Sequence, residues 1–126
     1  MFVSFLIPIA MPDQLKPIPL AFYRSTAGRE PVREWLNELP RVDQKVIGRD
    51  IGKVQFGWPV GLPLCRSLGQ GLWEVRSTLP SKREGRVLFG FHDGILVALH
   101  AFVKKTQATP AADLALARGR LKDVQT

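Results

Sequence analysis

The feature that most constrains this chain is a pair of alternating runs in its middle. They are Gly71-Leu72-Trp73-Glu74-Val75-Arg76-Ser77 and, after a short polar turn, Glu84-Gly85-Arg86-Val87-Leu88-Phe89-Gly90-Phe91. Successive side chains of a strand leave opposite faces, so one alternation sorts both runs. Trp73, Val75, Val87, Phe89 and Phe91 share an apolar face; Leu72, Glu74, Arg76, Arg86, Leu88 and Gly90 share the other. A β-hairpin with its apolar face in a core leaves Glu74, Arg76 and Arg86 together on a cationic face, with Gly90 leaving room beside them. Ordinary solvated strand residues, the arginines paired with Glu74, would give the same pattern.

A third strand, Ile95 to Val103, follows the turn signal His92-Asp93-Gly94. With Ile95, Val97, Leu99 and Ala101 toward the core, its other face carries Ala98, His100, Phe102 and Lys104. That parity adds a histidine and a lysine to the two arginines.

Around this centre the chain reads as one domain of 126 residues, long enough to bury its own core. Met1 to Ala10 is apolar but lacks a basic n-region and a small-residue cleavage site, and Pro8 interrupts it, so it does not read as a secretory signal. Met11 is a natural alternative start, and 1–19, with Pro12, Pro17 and Pro19, is expected to be an N-terminal extension of a domain over 20–126. Leu20 to Arg24 reads as a strand. Pro31 then opens a short helix whose apolar residues Val32, Trp35, Leu36 and Leu39 recur at helical spacing, and Pro40 stops it.

A second helix is expected over Arg41 to Phe56, with Val42, Val46, Ile47, Ile51 and Val54 as its stripe. Its Arg41, Lys45, Arg49 and Lys53, spaced i to i+4, read either as a nucleic-acid ridge or, with Asp43 and Asp50 nearby, as a solvated face. Leu64 to Leu68 is a short strand, and Ala111 to about Lys122 a closing helix with Thr109 as N-cap and Pro110 at its first position. The order is β, α, α, β, β, β, β, α. It predicts an α+β fold: an antiparallel meander with the two N-terminal helices and the C-terminal helix on one face.

Composition bears on the partner. The chain has 18 Lys and Arg against 11 Asp and Glu, a net charge of +7, and from Leu64 onward ten basic residues face five acidic ones. A basic half built from strands points to a polyanion, of which nucleic acid is the commonest. The single cysteine, Cys65, excludes an intramolecular disulfide framework, fits a reducing compartment and reads as buried filler. No apolar run approaches the roughly 18 residues of a membrane span.

Several segments, in order, resemble the RelE/ParE superfamily of toxins, and within it the phage-derived HigB-like branch of toxin–antitoxin systems. They are 29–36 (Arg29-Glu30-Pro31-Val32-Arg33-Glu34-Trp35-Leu36), 68–76 (Leu68-Gly69-Gln70-Gly71-Leu72-Trp73-Glu74-Val75-Arg76), Arg86-Val87-Leu88-Phe89, His100-Ala101-Phe102-Val103-Lys104-Lys105-Thr106, and Thr109-Pro110. The resemblance implies a small basic RelE-like fold, a cytoplasmic mRNA interferase commonly acting on the ribosome, and a helix-turn-helix, HigA-like antitoxin as partner. It places Arg76 and Arg86 at the family's strand basic positions and Lys104 or Lys105 at the basic end of the last strand. With RNA as substrate, Arg66, Lys82 and Arg83 join Lys104 and Lys105 as phosphate contacts. The tyrosine or further histidines that many members carry near the C-terminus are missing, since the only tyrosine is Tyr23. In the ParE branch the same fold inhibits a topoisomerase by binding alone, which is the alternative activity.

RNA cleavage by its own 2′-OH needs a base, positive charge on the phosphorane and an acid for the leaving oxygen. Arg76 and Arg86 suit the charge, and Glu74 or His100 the base. One carboxylate is too few for a two-metal site, so neither metal nor cofactor is expected. One histidine at the end of an apolar strand is more often a hydrogen-bonded structural residue, and that is the competing reading of His100.

Overall fold

The computed structural model describes residues 2–5 (backbone only), 17–59, 61, 63–105 and 109–126. The Met11 start, lead-in residues 13–16 and Thr106 lie outside the described residues. Strands β1 (Phe2–Phe5), β2 (Leu20–Arg24), β3 (Cys65–Gly69), β4 (Leu72–Thr78), β5 (Glu84–His92) and β6 (Ile95–Val103) alternate with helices α1 (Pro31–Asn37) and α2 (Arg41–Gly57), and α3 (Ala111–Gln125) closes the chain.

The sheet runs β1-β2-β6-β5-β4-β3. The β3-β4-β5-β6 part is the expected meander, held by tight turns. Asp93 and Gly94, both at positive φ, join β5 to β6, the backbone that a two-residue hairpin turn demands. The expectation of a purely antiparallel sheet fails at β2, which pairs with β6 in parallel, Leu20 opposite Leu96 and Phe22 opposite Ala98. The partners are far apart in sequence, with both N-terminal helices between them, so a parallel register needs no tight turn. β1 adds an antiparallel edge outside β2, Phe2 opposite Arg24.

The helices do not share a face. α1 and α2 cover one side, where Val32, Ile47, Ile51 and Val54 pack on Phe22, Val75, Val87, Phe89, Leu96 and Ala98. Each large side chain here contributes roughly 1.5–3 kcal/mol by leaving water. α3 covers part of the opposite side, where Ala117, Leu121 and Val124 pack on Tyr23, Leu72, Leu88, Val97 and Leu99. The cause lies in the strands. Leu72, Leu88, Val97 and Leu99 are apolar residues on the face that also carries the charges, and they require a cover. The room beside Gly90 is filled by Leu121: a Cβ on Gly90 would lie 2.5 Å from Leu121 Cδ1.

β6 also departs from the simple alternation. Leu88 pairs with His100 but Phe89 with Ala98, so Leu99 is an extra residue and the strand bulges there. Before the bulge, Leu96 and Ala98 face α1 and α2, and Val97 faces α3; beyond it Ala101 faces α1 and α2. The expected parity therefore holds for Ala101, His100 and Phe102, and is reversed for Ile95, Val97 and Ala98; Leu99 turns to α3.

On α2, Val42 is exposed rather than part of the stripe, and Asp43 is fully buried. Asp43 accepts hydrogen bonds from the Ser81 hydroxyl (2.8 Å) and backbone N–H (3.3 Å), and Arg83 approaches it at 3.5 Å. A charge placed there pins the β4–β5 turn to the helix. Gln55 does the same for the lead-in, exchanging bonds with both backbone groups of Ile18.

Candidate active site

Strand register builds the site in two rows. The first runs Arg66 on β3, Glu74 on β4, Leu88 on β5 and His100 on β6. The second runs Arg76, Arg86 and Phe102 across β4, β5 and β6. Like charges directly opposite repel, so the Arg76–Arg86 pair requires a nearby anion. Glu74 supplies it.

Glu74 and Arg86 are both about 2 % exposed. Arg86 Nε lies 3.7 Å from Glu74 Oε1, and Arg66 Nη2 lies 3.6 Å from the same oxygen. The other carboxylate oxygen, Oε2, accepts a 2.8 Å bond from the Thr109 hydroxyl, whose oxygen in turn lies 3.4 Å from Arg66 Nη2. Arg86 completes its set with the Gly85 carbonyl at 3.1 Å and Glu84 at 3.4 Å. Glu84 also holds Lys104 at 3.8 Å. A charged pair out of water is tolerated when its remaining donors and acceptors are satisfied in this way, although the Arg66 Nε–H has no partner among the described residues.

These residues line one cleft: Arg66, Glu74, Arg76, Arg86, Phe102, Lys104 and Thr109. Its enclosed space of about 10 Å³ is close to what one water needs. At the mouth Arg66 and Arg76 are only half-buried, so a group larger than a water has room only there. Arg76 has no side-chain hydrogen bond or ion pair to any described residue. Four cations around one carboxylate give a site with excess positive charge, suited to a dianionic phosphorane.

The other sequence candidates divide. Lys104 lies in the cleft, whereas Lys105 is exposed just beyond it. Lys82 and Arg83 sit in the β4–β5 turn, and Arg83 is engaged by Asp43 and Ser81. His100 faces the same side as Glu74, but Leu88 stands between them. Its Nε2 lies 2.6 Å from Asp113 Oδ1 at the start of α3, and its ring stacks on Phe102 at 5.7 Å. Thr109 was expected to cap α3; Pro110 holds the N-cap position without a side-chain bond, and the threonine serves Glu74 instead. A threonine before a proline at a helix start carries the same sequence signal in either role.

Cys65 is buried at the edge of this region, and its surroundings push the thiol up to about 11, chiefly by withdrawing it from water and secondarily through the charge of Glu74. It is filler, as its sequence context suggested. Among the described residues no group of three or more His, Cys, Asp or Glu is placed to hold a metal ion, and no helix is long and apolar enough to cross a membrane.

No curated protein matches the chain. Residues 34–122 match the family described as Phage derived protein Gp49-like (DUF891). The match covers α2, all of β3 to β6 and most of α3, and with them every residue of the cleft. The chain belongs to the phage-derived Gp49-like family, a toxin-like family of the RelE kind found in toxin–antitoxin systems.

Proposed function

We propose that the chain is the toxin of a type II toxin–antitoxin system, of the HigB-like branch, and that it cuts messenger RNA in the cytoplasm, on the ribosome, through the 2′-OH of its substrate. The observation that carries this reading is that Arg66, Arg76, Arg86 and Lys104 line one cleft with a single carboxylate, Glu74, which Arg66 and Arg86 approach. The scissile phosphate docks at the cleft mouth, where Arg76 is free to take it as a bidentate fork. Arg86 and Arg66 then face the charge that grows on the phosphorane. Glu74 is the proton acceptor, because it lines the cleft while His100 is engaged by Asp113 outside it. Lys104 is the proton donor to the leaving 5′ oxygen, since the other cleft donors are guanidiniums or the Thr109 hydroxyl already given to Glu74. With one carboxylate in the cleft, the step runs without a metal. The partner is a helix-turn-helix antitoxin of the HigA kind.

The test is expression of the chain alone and with that antitoxin, followed by an RNA-cleavage time course with and without ribosomes. Growth arrest relieved by the antitoxin, together with transcripts shortened by the parent and spared by Glu74→Gln, is the expected result. Arrest without any RNA shortening would overturn the nuclease reading in favour of docking on a protein target, as in the ParE branch. Normal growth at high soluble expression would overturn the toxin reading.

A further inference from the structure

A second, larger concavity of about 470 Å³ adjoins the cleft on the α2 side, lined by Val46, Arg49, Asp50, Lys53, Leu64 and Arg76 among others. Arg76 belongs to both, and Glu84 of the groove holds Arg86 and Lys104 of the cleft. We propose that this groove is a binding subsite for the nucleotide adjacent to the scissile phosphate of a single-stranded RNA. The inference rests on the reading of the cleft as a phosphodiester site.

Three observations support it. The substrate of such a site is a polymer and has to leave the cleft, and the groove opens where Arg76 stands with no described partner. Its volume falls within the roughly 300–1,000 Å³ of sites that hold small ligands. Its chemistry also matches a nucleotide on each count. Arg49 and Lys53, one turn apart on α2 and both exposed, stand at the rim as phosphate contacts. Val46, Pro63 and Leu64 give an apolar wall for the flat of a base. Glu84, half of it exposed and shared with Arg86 and Lys104, and Asp50, 3.9 Å from Lys53, add carboxylate oxygens that can accept from exocyclic amino groups, the pairing by which acidic side chains read cytosine. An acidic peptide would use the two cations but leave both carboxylates facing its own.

The experiment measures fluorescence anisotropy of labelled 2′-O-methyl oligonucleotides, a dinucleotide and a hexanucleotide, on the full chain. The parent is compared with Arg49→Glu/Lys53→Glu and with the milder Arg49→Gln/Lys53→Gln, each checked by thermal melting. The parent is expected to bind the hexanucleotide more tightly than the dinucleotide, and the charge reversal to remove at least tenfold of that advantage. The salt dependence of log K should fall by about 1.4, at roughly 0.7 per lost phosphate contact on a single strand. The glutamine variants should show the same direction of change with a native melting temperature. If the parent cuts RNA while both double variants keep its hexanucleotide affinity within twofold, the subsite is overturned and the proposed activity stands. Kept RNA affinity with lost antitoxin binding would assign the groove to the protein partner and overturn the subsite equally. If the parent neither binds nor cuts RNA, the proposed activity fails and takes the subsite with it.

Discussion

The hydroxyl of Thr109 donates a 2.8 Å hydrogen bond to Oε2 of Glu74, tying the segment before α3 to a carboxylate buried on β4. Thr109→Val keeps the shape and removes the donor, leaving that oxygen without its hydroxyl partner. The expected cost is about 1–3 kcal/mol of stability, with slower RNA cleavage and an altered pH–rate profile because the acceptor loses its fixed orientation. Thr109→Ser should restore both. Melting curves and the pH dependence of cleavage measure this, and a serine variant as impaired as the valine would show that packing, not the hydrogen bond, is what matters.

Arg76 and Arg86 are opposite one another in the register yet should respond to mutation in opposite ways. Arg76→Ala, at a half-buried position without a partner among the described residues, should change stability by no more than roughly 0.5 kcal/mol. Its cleavage should fall by about 10²–10³-fold, the loss that follows removal of one charge-stabilising donor. Arg86→Ala strands the Glu74 carboxylate in the interior and should cost about 3–5 kcal/mol. Thermal melting beside the cleavage assay separates the two, and an Arg86→Ala protein as stable as the parent would contradict the buried pair.

The contrast between those arginines shows where sequence reading stops. The alternation in 71–77 and 84–91 correctly placed Glu74, Arg76 and Arg86 on one face, because the period of a strand is a local property. Burial is not local. Arg86 is enclosed by residues brought in from β3, β6 and the segment before α3, and nothing in its own neighbourhood marks that. The side taken by α3 was misjudged for a related reason: Leu72, Leu88 and Val97 are apolar residues on the charged face, and only their adjacency across three strands makes them a second core. The bulge at Leu99 left no signal, since Leu96 to Leu99 is apolar on both parities. Thr109 reaches Glu74 across 35 residues, and the groove beside Arg49 and Lys53 is closed by residues of α2, β4, β5 and the loop before β3, a meeting that spacing alone cannot show.

Leu121 fills the space above Gly90, so Gly90→Ala overpacks the α3 side of the sheet. The expected loss is about 1–3 kcal/mol. Leu121→Ala alone opens a cavity at roughly 2–5 kcal/mol, and the double variant should lose less than the sum because each change relieves the other. Strict additivity in chemical denaturation would mean that α3 does not rest on Gly90.

The Cys65 thiol, pushed up to about 11 from an ordinary 9.0, stays protonated at neutral pH. A group whose folded value is raised contributes stability that is fully present below the unfolded value and is lost as pH rises through the folded one. Stability should therefore decline between pH 9 and about 11, and Cys65→Ala should blunt that decline. At pH 8 iodoacetamide should label the native protein far more slowly than the urea-unfolded chain; equal rates would show an accessible thiolate.

The extra residue at Leu99 lets β6 answer to two masters. On its N-terminal side Leu96 and Ala98 serve the core under α1 and α2, and beyond it Ala101 takes over that duty while His100 and Phe102 turn toward the charged face. Deleting Leu99 would leave a strict alternation, with Leu96, Ala98 and Ala101 still toward α1 and α2 and Val97, His100 and Phe102 still on the other side, and would take from α3 only the leucine it packs on. The inserted position thus gives the α3 side one more apolar side chain than a regular strand of this span would carry, placed beside the histidine of the charged face.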